Sequence, residues 1–236
     1  MQIVNTGNPF VNSYLIRTFK GVVAVDSGYR DGFDRYRQMM EENAISFEDI
    51  RWILLTHAHD DHAGFLNELL RATDAKLILH PNAVPRIATG QNAPGHYADR
   101  TAAIVSTILN ITGSVKHGFE PITDTARFLP WDGFDQPMSD FGLQILSVPG
   151  HTSDSISLVT EDFDIFCGDA AMNDFPSKHH ISIFLEDEKL YAQSWDTILA
   201  SGAKMIYPGH GKPFPVQELR SCLPFAARIK PVGQHR

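Results

Sequence analysis

The apolar stretch Trp52-Ile53-Leu54-Leu55 runs directly into Thr56-His57-Ala58-His59-Asp60-Asp61-His62. A buried strand that ends in a burst of imidazoles and carboxylates constrains the fold more than any other feature here. The strand has to be held rigidly, and the polar groups after it have to share one edge. His57, His59, Asp61 and His62 fall within six residues. This density of ligands suits two metal ions held side by side. Three further signals lie far downstream: Pro149-Gly150-His151, Gly168-Asp169 and Pro208-Gly209-His210-Gly211. Each follows an apolar stretch, so a loop after a strand can bring its ligand to the same rim.

The chain has 236 residues, enough for one large domain or two small ones. A net charge of −8 argues against a general nucleic-acid binder, which usually presents a basic face. The start, Met1-Gln2-Ile3-Val4-Asn5, does not read as a signal peptide, and no apolar run approaches the length of a membrane span. Cys167 and Cys222 are too few for a disulfide framework and read as small apolar core residues. A cytoplasmic protein with no membrane partner is expected. Oligomeric state is left open, with a homodimer among the options.

Strands are expected at Val11–Ile16, Val22–Val25, Trp52–Leu55, Ala75–Leu79, Leu143–Val148, Ser155–Thr160, Asp164–Cys167 and Lys204–Tyr207. Helices are expected over Gly32–Glu42, His62–Arg71, Ala98–Ile111 and Leu190–Ala200, and from Val216 onward with Pro224 kinking or ending the last one. Ser46 is placed to cap a short turn at Phe47-Glu48-Asp49. The segment from Pro81 to Met138 is too long for a simple connection and reads as a helical insertion. In it, Ile104, Val105, Ile108, Leu109 and Ile111 have helical spacing, with His96, Tyr97, Arg100, Lys116 and His117 scattered around them. It either packs on the core or walls the site. No Ser/Gly/Pro-rich linker divides the chain, which favours a single domain over 1–236 built from two β-rich halves.

Imidazole nitrogen and carboxylate oxygen suit zinc, and also iron, manganese or cobalt. His57, His59 and His151 make one three-ligand set with room for water, and Asp61, His62 and His210 make another. Asp169 is then available to bridge the two ions.

The run resembles the His-x-His-x-Asp-His signature of the metallo-β-lactamase-fold hydrolase superfamily. The downstream Pro-Gly-His-Thr, Gly-Asp and Pro-Gly-His-Gly elements come in the order that superfamily uses, and Val25-Asp26-Ser27-Gly28 is similar to its early supporting Asp turn. The resemblance spans Asn12 to His210. It implies a four-layer αβ/βα sandwich with the metals at one edge, and it implies the same seven ligands.

The implied chemistry is hydrolysis of a small-molecule ester, thioester or lactone by a metal-bridging hydroxide, with two divalent ions, zinc first and iron or manganese next. Asp61 is a ligand that also has a place as proton acceptor. The alternatives are a mononuclear iron persulfide dioxygenase-like oxidoreductase and a phosphodiesterase. His179, His180 and Tyr191 lie where they could approach the site, Tyr191 as a hydrogen-bond donor to an oxyanion.

Overall fold

The computed structural model describes residues 1–111, 118–133 and 138–235. In chain order the strands and helices are β1 (Gln2–Asn5), β2 (Tyr14–Thr18), β3 (Gly21–Val25), α1 (Phe33–Glu42), β4 (Ile50–Leu54), α2 (Asp60–Ala63), α3 (Leu66–Ala72), β5 (Lys76–Leu79), α4 (Ala83–Thr89), β6 (Gly95–Tyr97) and α5 (Arg100–Ile111). Then come β7 (Phe128–Pro130), β8 (Leu143–Ser147), β9 (Ile156–Thr160), β10 (Asp164–Gly168), β11 (Phe184–Leu185), α6 (Glu188–Ala200), β12 (Met205–Pro208), β13 (Phe214–Pro215), α7 (Val216–Ala226) and β14 (Val232–His235). They form two compact units, Met1–Asn92 with Gly118–Ile145, and Ala93–His117 with Leu146–Arg236.

In the first unit a six-stranded mixed sheet has the order β1-β2-β3-β4-β5-β7. β1, β2 and β3 pair antiparallel, and β3, β4, β5 and β7 pair parallel. Parallel strands covered on both faces read as continuous apolar runs, as Val22-Val23-Ala24-Val25 and Ile53-Leu54-Leu55 do, all of them buried. α1 adds Tyr36 and Met40 to this core, and Phe65 meets Phe33 and Tyr36 edge-on at 5.7 and 5.3 Å. Ser46 and Asp49 close a capping box around the turn Phe47–Asp49, as its sequence predicts. β1 was not anticipated, and β2 begins later than the expected Val11. The expected helix over His62–Arg71 is split into α2 and α3. The Gly64 N–H leaves the helical ladder and donates instead to Gly28 O at 2.8 Å.

The second unit holds the five-stranded sheet β13-β12-β10-β9-β8, with β8 the strand in which the chain passes between units, and the small sheet β11-β6-β14. β10 pairs parallel with β12 and antiparallel with β9. α6 and α7 cover a core of Tyr191, Trp195, Ile198, Ile165 and Ile206. Asp187 caps α6, accepting from Lys189 and Leu190 N–H at 2.8 and 2.9 Å. Pro224 does not itself end α7. It sits inside the last turn, where the helix runs on to Ala226.

The segment between Pro81 and Met138 is not one block. α4 and β7 belong to the first unit and β6 and α5 to the second, while Lys116 and His117 lie outside the described residues. α5 forms where expected, yet its apolar face is turned out: Ile104, Ile108 and Ile111 are exposed, and Ala102 and Ser106 are buried. Periodicity assigns residues to one face without saying which face packs, and the small residues allow the closer approach to β6 and β14. Among the described residues no helix is long and apolar enough to cross a membrane.

Candidate metal centre

One cluster of candidate ligands is assembled entirely within the first unit. β3 ends at Val25 and is followed by Asp26, whose φ of 59° turns the chain sharply and whose N–H bonds Leu54 O at 2.9 Å. The Asp26 carboxylate therefore lies beside the end of β4. It accepts the Thr56 N–H at 2.7 Å through Oδ1, and the Thr56 hydroxyl at 2.8 Å and His62 Nδ1 at 2.7 Å through Oδ2. Because an ionised carboxylate only accepts, His62 donates from Nδ1 and carries its lone pair on Nε2. The Thr56 hydroxyl gives its hydrogen to Asp26, so its oxygen is left to accept from His57 Nδ1, 3.1 Å away. That sets the same tautomer in His57. The buried Asp26 thus orients two rings, the role its turn predicts.

α2 is clamped to the Asp26 turn from the other side. Ser27 N–H and Oγ both donate to His62 O at 2.8 Å. The rings of His57 and His59 are 4.7 Å apart, and those of His57 and His62 4.1 Å. His57 offers a ligand atom within 4.8 Å of one on His59 and one on His62, and Asp61 does so to His62. His57, His59 and His62 are buried, and Asp61 is partly open.

The second unit builds a cluster of its own. Gly150 has φ 131°, and a Cβ there would overlap the Tyr191 backbone nitrogen, so only glycine lets the turn after β8 lie against α6. The next residue, His151, points Nδ1 at Phe184 O, 2.7 Å away, with Ser182 Oγ at 3.0 Å. Since a carbonyl only accepts, Nδ1 carries the hydrogen and Nε2 the lone pair. β10 and β12 run parallel with Gly168 opposite Pro208, and Gly209 N–H bonds Gly168 O at 2.8 Å. This pairing places Asp169 and His210 side by side. Asp169 Oδ2 stands 3.7 Å from His151 Nε2 and 3.4 Å from His210 Nε2.

These spacings fit a metal. Two ligand atoms each about 2.0–2.2 Å from one ion, at a tetrahedral angle, stand about 3.3–3.6 Å apart. A direct N–H···O bond is shorter, about 2.7–3.2 Å. The separations from Asp169, together with 3.8 Å between His62 Nε2 and Asp61 Oδ1, are close to ligand spacing. The Nδ1 contacts of the same rings, at 2.7 Å, are those of hydrogen bonds.

Other expected site residues have structural duties. Tyr191 is fully buried; its hydroxyl accepts the Ser182 N–H at 2.8 Å, and burial pushes its ionisation well above the usual tyrosine range. It supports the segment that orients His151. His179 stacks on Phe225 at 3.6 Å and His180 on Phe214 at 4.0 Å, with His180 Nε2 3.3 Å from Glu218. Phe119 is core, and Cys167 is buried while Cys222 is half-buried. Sequence reasoning missed Ser182 and the Phe184 carbonyl, which no local pattern marks. It also gave no role to Asp60, although Asp60 lies inside the ligand run.

The sequence pattern of the metallo-beta-lactamase superfamily matches residues 6–210. The chain belongs to that superfamily. Its fold is the metallo-beta-lactamase fold, α/β with two mixed sheets. Among relatives, a protein described as a probable metallo-hydrolase, YflN of Bacillus subtilis, is 24% identical over 74% of this chain and 69% of its own length. The atrochrysone carboxyl ACP thioesterase of Aspergillus fumigatus is 24% identical over 85% of this chain, which spans only 50% of that protein. The crystal structure of TTHA1623 in a di-iron-bound form is similar in fold, with a TM-score of 0.68 and 23% identity, covering 95% of this chain and 100% of that one.

Proposed function

We propose that the chain is a metal-dependent hydrolase of a small ester, thioester or lactone, in which the seven side chains serve one two-metal centre. His57, His59 and His151 would hold one ion and Asp61, His62 and His210 the other, with Asp169 shared. The observation that carries this reading is Asp169 Oδ2 at ligand spacing from both His151 and His210. One carboxylate oxygen at ligand spacing from Nε2 of both rings suits a shared ligand.

The metals, when bound, supply Lewis acidity and activate water at neutral pH. The protein's part is orientation. Asp26 and the Phe184 carbonyl fix the tautomers of His62 and His151, so both rings present Nε2. Burial of the histidines keeps their donors unscrambled by solvent. Asp61, the most open of the first-half ligands, is the carboxylate assigned to receive a proton.

Imidazole and carboxylate donors suit zinc and iron alike. The likeness in fold to a di-iron-bound protein makes iron a serious candidate beside zinc. The thioesterase relative supports placing thioesters in the substrate class. The test is metal analysis of the purified protein, followed by a panel of esters, thioesters, lactones, phosphodiesters and a persulfide with oxygen. About two metals per chain and turnover of an acyl substrate are expected. One iron with oxygen consumption on the persulfide would replace this reading with the oxygenase one.

A further inference from the structure

Asp60 lies between the assigned ligands His59 and Asp61, is buried, and bonds to residues distant in sequence. Its carboxylate accepts the Asn92 amide through Oδ1 at 2.9 Å and the Gly118 N–H through Oδ2 at 3.0 Å. Its backbone N–H donates back to Asn92 Oδ1 at 2.8 Å. Asn92 and Gly118 are the residues at which the chain leaves the first unit and re-enters it, on either side of Ala93–His117. One side chain therefore gathers both stems of that excursion and ties them to the peptide from which His59 and Asp61 project.

We propose that Asp60, paired with Asn92, is a positioning residue for the metal centre. The inference rests on the metal-dependent reading above. α2 is a single turn, so helical hydrogen bonding alone holds this backbone weakly. The bonds through Asp60 fix the 59–61 backbone from both the peptide N–H and the side chain. The excursion they gather also supports the ligand set within the second unit. Its strand β6 pairs with β11, opposite Phe184, whose carbonyl orients His151.

The hydrogen-bond pattern provides its own control. Asp60→Asn leaves one acceptor oxygen for two N–H donors and sets two amide groups against each other. Exchanging the pair, Asp60→Asn with Asn92→Asp, restores these three bonds. The new amide at position 60 would donate to the carboxylate at position 92 and accept from Gly118, while that carboxylate accepts the backbone N–H of residue 60.

The experiment is titration of the metal-free protein with cobalt(II), read from its visible absorption and by competition with a chelator, far below the melting temperature. Asp60→Asn is expected to weaken cobalt binding about 10–100-fold and to change the absorption envelope, as loss of a supporting hydrogen bond typically does. The exchanged pair is expected to return to within about threefold of wild type, the coupling a double-mutant cycle isolates. Wild-type affinity in Asp60→Asn, or a folded exchanged pair that binds no better than Asp60→Asn, overturns the positioning role alone. A wild-type protein that takes up no cobalt overturns the metal-dependent reading, and this inference with it. Should Asp60→Asn not fold, the exchanged pair decides: recovery of both fold and affinity supports the clasp, and recovery of fold without affinity overturns it.

Discussion

Oδ2 of Asp26 lies 2.7 Å from Nδ1 of His62, with both side chains almost fully buried. This bond decides which nitrogen of His62 faces the candidate centre. Asp26→Asn places an amide N–H₂ or a single oxygen where three donors converge, so the ring loses its reason to keep the hydrogen on Nδ1. Metal affinity is expected to drop about 10–100-fold with the fold retained. Chelator competition on the variant measures it; unchanged affinity would remove Asp26 from the site's support.

Asp169 is assigned as the shared ligand. Asp169→Ala is expected to lower kcat/KM by about two orders of magnitude or more and to leave far-UV circular dichroism unchanged, since a lost ligand costs the chemistry while the β10–β12 pairing persists. Full activity in this variant would sink the bridging assignment.

Two buried tyrosines give opposite expectations. The Tyr36 hydroxyl has no hydrogen-bond partner among the described residues, and burial pushes its ionisation far up. Tyr36→Phe should therefore be neutral or stabilising. The Tyr191 hydroxyl accepts the Ser182 N–H, so Tyr191→Phe strands a buried donor and should cost about 1–3 kcal/mol. Thermal melts of the two variants side by side test the contrast.

Gly211 has φ 88°, and a Cβ there would overlap the carbonyl of Asn173, whose own N–H donates to His210 O. Gly211→Ala combines left-handed strain with a backbone collision. It should destabilise by more than about 2 kcal/mol and disturb His210, seen as a lower melting temperature together with weaker metal binding.

Asp49 closes the capping box with Ser46. The hydrogen bond from the Ser46 backbone, ahead of the opposing effect of desolvation, holds its carboxyl below the usual range, with Arg17 and Arg51 adding to this. A lowered folded-state pKa contributes stability that is present above the unfolded value and is lost as pH falls through the folded one. Wild type should therefore exceed Asp49→Asn in melting temperature at neutral pH, and the gap should close below about pH 4. A gap independent of pH would assign the effect to something other than the carboxylate.

The candidate ligand residues stand out in the sequence because chemistry restricts which residue types can serve. His57, His59, Asp61 and His62 crowd one turn, and His151, Asp169 and His210 each follow an apolar strand through a glycine. The strands β3, β4 and β10 were equally plain, since buried parallel and central strands carry apolar runs such as Val22–Val25, Trp52–Leu54 and Ile165–Cys167. By contrast, the break at Gly64 depends on a bond to Gly28, far away in sequence, and the outward face of α5 depends on which side its neighbours occupy.

What the sequence determined by itself was the inventory of donors, their order, and the strands that present them. These depend on residue type and local period alone. Only the tertiary structure decided which nitrogen His57, His62 and His151 present, that Tyr191 holds the Ser182 segment while His179 and His180 stack on phenylalanines, and that Asp60 ties Asn92 and Gly118 to the ligand run. Hydrogen-bond partners are chosen by proximity in space, and residues 26 and 62, or 60 and 118, become neighbours only once the chain has folded.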